Sequence, residues 1–135
     1  WRQMPSGPIV ADYSLAKSLY FAEVTLKGPE LDVFNRIYHG LTELVPKPDL
    51  TIYLYRSTEQ LTEHIKQRGR EYEQAIPNEY LEQIQDNYVS HLEKLADQPI
   101  VLIDARNRDF KDNSDDLNWI INVIQSPFRN GVTRM

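Results

Sequence analysis

A chain of 135 residues has room for one modest domain and not comfortably for two. With 41% hydrophobic and 26% charged residues a packed core is within reach, and disorder is not expected. A net charge of -5 argues against a nucleic acid or an anionic membrane as partner, and the lack of cysteine excludes a disulfide framework, a Cys-ligated zinc and a thiol nucleophile.

The apolar runs, such as Ile100-Val101-Leu102-Ile103, are too short to span a bilayer, and the amino end shows no secretory pattern. A soluble cytoplasmic protein is expected. The first residue is Trp1 rather than methionine, which fits a trimmed chain or part of a longer polypeptide.

In chain order, Pro8-Ile9-Val10-Ala11 reads as a short buried strand ending at Asp12. Leu15, Leu19, Ala22 and Leu26 then fall at helical spacing, up to Gly28-Pro29. A second helix is predicted from about Glu30 to Val45, with Leu31, Phe34, Tyr38 and Leu41 on one face, ended by Pro46-Lys47-Pro48. Leu50 to Tyr55 is dense in β-branched and aromatic residues and predicts the clearest strand.

Ser57-Thr58-Glu59-Gln60 matches a capping box and opens a helix that Gly69 breaks. The longest helix is expected after Pro77, and Ile100 to Ile103 forms a third strand ending at Asp104. A polar loop leads to a last helix near Asp115 to Ile124, and the tail after Pro127 reads as frayed. The predicted order, β-α-α-β-α-α-β-α, favours one α/β unit with a parallel sheet and helices on both faces.

In such sheets the ligand crevice lies beyond the carboxyl ends of the strands. Asp12 and Asp104 stand at two of those ends, suited to a magnesium ion or to a hydroxyl that must lose a proton. Equally, each could cap its own turn. Arg68-Gly69-Arg70 offers two guanidiniums around a glycine where a helix ends, a fork suited to phosphate oxygens. The plainer alternative is a solvated helix end paired with Glu71 and Glu73. His39, His64 and His91 do not have ligand spacing, and no phosphate loop of the form G-x-x-x-x-G-K-S/T occurs.

Pro48-Asp49-Leu50-Thr51-Ile52-Tyr53-Leu54, then Ile65 to Glu73, then Ile76-Pro77 and Glu79-Tyr80-Leu81, together with Asp12 to Ala22 and Ile103 to Phe110, resemble the deoxynucleoside kinase family. The resemblance covers nearly the whole chain but only about the carboxyl-terminal two thirds of such a kinase. It implies a P-loop kinase-like fold without the phosphate-loop strand, which in the family lies between the strands matching Ile9–Ala11 and Leu50–Tyr55. It also implies transfer of the γ-phosphoryl of ATP, with Mg2+, to the 5'-hydroxyl of a deoxynucleoside.

By that resemblance Arg68 and Arg70 hold the donor phosphates and the transferred group, and Glu73 contacts the sugar 3'-hydroxyl. His64 occupies a position that is often a third lid arginine, and Asp109-Phe110 matches the loop around the donor adenine. Asp12 keeps the acidic role near the 5'-hydroxyl, Tyr13 replaces an acceptor-fixing arginine, and Lys17 restores a positive charge nearby. The phosphate-gripping lysine, metal-binding hydroxyl and general base are then expected from an upstream segment of the same polypeptide, and these 135 residues alone are expected to be inactive. The wording from Asp12 to Ala22 is also similar to a bacterial subgroup with kinase-like domains fused behind the hydroxymethyldihydropterin pyrophosphokinase of folate biosynthesis. That leaves open a degenerate nucleotide-binding or dimerisation module, and a homodimer is expected through helices like Ser14–Leu26 and Glu30–Val45.

Overall fold

A computed structural model describes residues 7–135. The chain divides into two compact units, the first ending at Lys47 and the second running Pro48–Met135.

The first unit holds two helices, α1 (Leu15–Thr25) and α2 (Pro29–Thr42), which pack on one another. Gly28, at φ 52°, turns the chain between them in a conformation that suits glycine, and Pro29 then starts α2 with its φ already helical. Tyr20 and Ala22 are buried, and the Phe34 ring stacks on Tyr38 at 6.1 Å. Burial, with Tyr38 and Glu23 nearby, pushes the Tyr20 hydroxyl up to about 12. Val33, Ile37 and Leu41 form an exposed apolar stripe along α2, continued by the exposed Leu44 in the turn after it.

Residues 9–11 do not form the expected strand; Ile9 is 50% and Val10 86% exposed. An apolar run can supply strand side chains but not the neighbouring edge that must take up its backbone N–H and C=O groups. No such edge pairs with it among the described residues.

The second unit is built on β1 (Thr51–Tyr55), β2 (Pro99–Asp104) and β3 (Gly131–Arg134), a parallel sheet in that order. β3 corrects the expectation of a frayed tail. Its Val132 and Thr133 are β-branched and lie opposite Ile100 and Val101, so the end of the chain completes the sheet. The element order is therefore α-α-β-α-α-β-α-β, with the first predicted strand removed and a last one added.

Between the strands run α3 (Thr58–Arg68), a single 3-10 turn (Glu71–Glu73), α4 (Asn78–Lys94) and α5 (Ser114–Gln125). Side chains alternate across β2 and split the core in two. On one face Ile100 and Leu102 meet Leu92 of α4, with Tyr53, Leu95 and Val132 around them. On the other, Val101 and Ile103 meet Val123 of α5, with Leu50, Ile52, Trp119, Ile120 and Phe128. The α/β class with helices on both faces of a parallel sheet is thus as expected. β2, the central strand, carries the fully buried Ile100, Val101 and Ile103. β1 pairs with β2 alone among the described strands, leaving its outer edge open.

Candidate functional site

The capping box read from the sequence opens α3: Ser57 Oγ accepts from the Gln60 N–H, and Gln60 Oε1 accepts from the Ser57 N–H, each at 3.3 Å. The helix ends where Gly69 takes a left-handed φ of 70°, its N–H donating to the Lys66 carbonyl. That turn throws Arg70 and the 3-10 turn back over the last helical residue. Gln74 fixes the reversal, donating to the carbonyl oxygens of Ile65 at 3.0 Å and Arg70 at 3.3 Å.

The consequence is a three-residue cluster. Arg70 Nη1 lies 3.1 Å from Glu73 Oε1, and Arg68 Nη1 lies 3.4 Å from Glu73 Oε2. The carboxylate side chain is only 14% exposed while the two arginines remain half exposed, so the acid is held inside and the cations face outward. The ion pairs of the plainer reading are formed through Glu73, and they gather three residues that the sequence singled out. His64 lies on α3 one turn before Arg68 and is exposed.

A second group lies in the loop after β2. Asp109 Oδ1 accepts from the N–H groups of Lys111 and Asp112 at 2.9 and 3.0 Å, and these bonds hold its carboxyl below the usual range. The Asp109 carboxylate is thus spent on shaping its own turn, beside the part-buried Phe110. Asp104 behaves in the same local way. It accepts from the Arg106 backbone N–H at 3.1 Å and from Arg106 Nε at 2.9 Å, so that the arginine holds it down at about 2. Of the two readings of Asp104, the turn cap is the one its geometry fits.

Asp12, Tyr13 and Lys17 belong to the first unit. The Tyr13 hydroxyl hydrogen-bonds to Ser18 Oγ, and Lys17 Nζ sits about 6 Å from the ring centres of Tyr13 (6.0 Å) and Phe21 (5.9 Å). With Ser18 and Phe21 these two line a shallow hollow of about 210 Å³. Asp12 is exposed in the irregular segment before α1, not at the end of a strand.

The deoxynucleoside kinase family model matches residues 4–128, almost the whole chain. The chain belongs to the deoxynucleoside kinase family. It is 35% identical to the deoxyguanosine kinase of Bacillus subtilis (strain 168) over 117 residues, 84% of this chain and 56% of that protein. It is 25% identical over 134 residues to the deoxyadenosine kinase of Lactobacillus acidophilus (strain ATCC 700396 / NCK56 / N2 / NCFM), covering 89% and 62% of the two chains. A deoxyadenosine/deoxycytidine kinase of Bacillus subtilis (strain 168) matches at 22% over 120 residues, 87% and 55% of the two chains. The chain thus spans a little over half the length of these curated relatives.

Against the needs of this family, the outward guanidiniums of Arg68 and Arg70 fit phosphate oxygens in charge and shape. A divalent cation is served less well. No three His, Asp or Glu side chains gather as a ligand set among the described residues, and Asp104 is already taken by Arg106. No helix is long and apolar enough to cross a membrane.

Sequence reasoning missed the residues that hold the loop after β2. Arg108 lies 3.6 Å over the Trp119 ring and 2.9 Å from Asp116 Oδ1, while Asp116 Oδ2 accepts from the Asp109 N–H at 2.9 Å. The pairs are seven to eleven residues apart and span a loop and a helix, so no local periodicity marks them. The only signal was the density of arginine and aspartate from Arg106 to Asp116.

Proposed function

We propose that residues 1–135 are the acceptor-and-lid portion of a single nucleoside kinase-like domain. In the intact protein it would transfer the γ-phosphoryl group of ATP to the 5'-hydroxyl of a deoxynucleoside. The observation that carries this reading is the convergence of Arg68, Arg70 and Glu73 at the glycine-hinged end of α3. Family membership and relatives that are nucleoside kinases support it.

Magnesium bound with ATP would supply charge neutralisation at the phosphates. Its protein ligands, like the phosphate loop, are assigned to a segment of the same polypeptide upstream of these residues. The open edge of β1 suits the missing phosphate-loop strand, whose backbone groups would pair there.

Within this portion Arg68 and Arg70 bind the donor phosphates and stabilise charge that spreads over the moving phosphoryl oxygens. Glu73, held between them, accepts from the sugar 3'-hydroxyl. Asp12 sits by the acceptor 5'-hydroxyl, with Tyr13 and Lys17 lining the acceptor side. Phe110 packs on the donor base in a loop that Asp109 shapes, and His64 lies on the donor side of the lid. The working protein is placed in the cytoplasm. It is taken as a homodimer joined through α1 and α2, a pairing the apolar stripe of Val33, Ile37, Leu41 and Leu44 suits.

Replacing either lid arginine with alanine tests the reading. Turnover should fall far more than nucleoside affinity, because the contact strengthens in the transition state. Equal losses in both, or ATP-dependent turnover by the 135 residues alone, would count against it.

One observation favours a second reading. Tyr13 stands where the family fixes its acceptor with arginine, and its hydroxyl is turned onto Ser18 of its own helix. A degenerate nucleotide-binding or dimerisation module, joined to the pterin pyrophosphokinase of folate biosynthesis, would tolerate that loss. Titration with a deoxynucleoside and with ATP separates the two: both bind the kinase, at most one binds the degenerate module.

A further inference from the structure

We propose that Arg56 and Gln60 are positioning residues that tie the first turn of the lid helix to the loop packing around the donor base. The inference rests on the kinase reading above and adds to it a mechanical link that neither the lid nor the loop contains by itself.

The link is made of side chains that reach across some 50 residues of sequence. Arg56 Nη2 donates to the Arg108 carbonyl oxygen at 2.8 Å, and Gln60 Nε2 donates to the Arg106 carbonyl oxygen at 2.8 Å. Between them the Ala105 N–H donates to the Tyr55 carbonyl oxygen at 2.9 Å. Residues 105, 106 and 108 are therefore all gripped from the end of β1 and the start of α3. Arg56 is itself fixed, since its carbonyl oxygen accepts from Gln85 Nε2 of α4 at 2.6 Å.

From Arg108 the chain of contacts runs on through Asp116 to the N–H of Asp109, next to Phe110. At its other end α3 runs unbroken to Arg68, and a helix of 11 residues moves as one rod. A shift of the lid arginines is thus carried through Gln60 to the Arg106 carbonyl of the donor-base loop, while Arg56 anchors the Arg108 carbonyl beside it. Conversely, a base seated in that loop biases where the lid helix rests.

Gln60 allows the link to be cut without unfolding the helix. Its Oε1 serves the capping box and its Nε2 serves Arg106, so one amide does two separable jobs. Gln60→Glu keeps an acceptor for the Ser57 N–H, and glutamate suits a helix N-terminus. It removes the donor, however, and sets a carboxylate oxygen against the Arg106 carbonyl. Arg56→Met likewise removes the donor to Arg108 while keeping the apolar stem, and Arg56→Lys restores a donor.

The test uses the intact polypeptide that contains this chain, with ATP and Mg2+ as the probe. In Gln60→Glu and Arg56→Met, KM for ATP should rise roughly fivefold, the scale of one lost hydrogen bond. KM for the nucleoside should hardly move, Tm should fall by only a few degrees, the scale of the same lost bond, and Arg56→Lys should recover most of both losses. Without ATP, the amides of Asp109 and Lys111 should exchange faster in Gln60→Glu. An unchanged KM for ATP with unchanged loop exchange would overturn the proposal, as would equal rises in both KM values. If the unaltered protein binds no ATP, the kinase reading falls, whereas loop exchange still reports whether the link exists.

Discussion

Arg70 and Glu73, three residues apart, meet at 3.1 Å across the 3-10 turn that follows the left-handed Gly69. The same carboxylate is shared with Arg68, so removing it frees two cations together. Under the proposed role, Glu73→Gln should raise KM for the nucleoside roughly tenfold, the cost of a hydrogen bond to a charged group. The variant should also cease to distinguish a nucleoside from its 3'-deoxy analogue. Steady-state kinetics with the two acceptors checks this, and retained discrimination would remove Glu73 from the sugar.

Gly69→Ala should cost about 1 kcal/mol, because a Cβ is strained at a φ of 70°. Nothing lies within 4 Å of the added carbon, so the loss comes from the backbone alone. Urea unfolding of the variant should show it, and a larger loss would mean that the lid packs more tightly than described.

Ile103 is fully buried between β2 and α5, and Ile103→Ala should destabilise by about 2–5 kcal/mol. Val10→Ser, in the 86% exposed segment that forms no strand, should change stability by less than about 0.5 kcal/mol. Chemical denaturation of the two variants separates a core position from an open one.

Asp104 should stay ionised far into acid. Its carboxyl is held at about 2 by Arg106, below its ordinary value. A depressed folded-state pKa contributes stability that is present above the unfolded value and is lost as pH falls toward 2. Carboxyl NMR titration should find that midpoint, and Arg106→Gln should move it up toward the ordinary aspartate range of about 3.9.

Helices were legible here where local chemistry defines them. Ser57 and Gln60 announced α3, Gly69 its end, and Pro77 the start of α4, all through contacts within a few residues. The cluster at the end of α3 was legible for the same reason, since Arg68, Arg70 and Glu73 lie within one turn and a half of each other. Strands were legible only in part. Ile9-Val10 has the composition of a strand and no partner strand among the described residues, whereas Val132-Thr133 has a partner in β2 that nothing nearby in sequence reveals. The loop after β2 failed for a related reason, since its hold on Arg56, Gln60 and Trp119 exists only once the sheet has formed.

The placement of α4 and α5 on opposite faces has a topological consequence. Passing from β1 to β2 and from β2 to β3, the chain steps in one direction across the sheet, first over one face and then over the other. The two crossovers therefore have opposite hands, and one of them runs against the hand that strand twist favours. β3, four residues long and bonded to a single neighbour, is the element easiest to release from that arrangement. Its amides should be the first of the sheet to exchange with solvent, ahead of those β2 shares with β1.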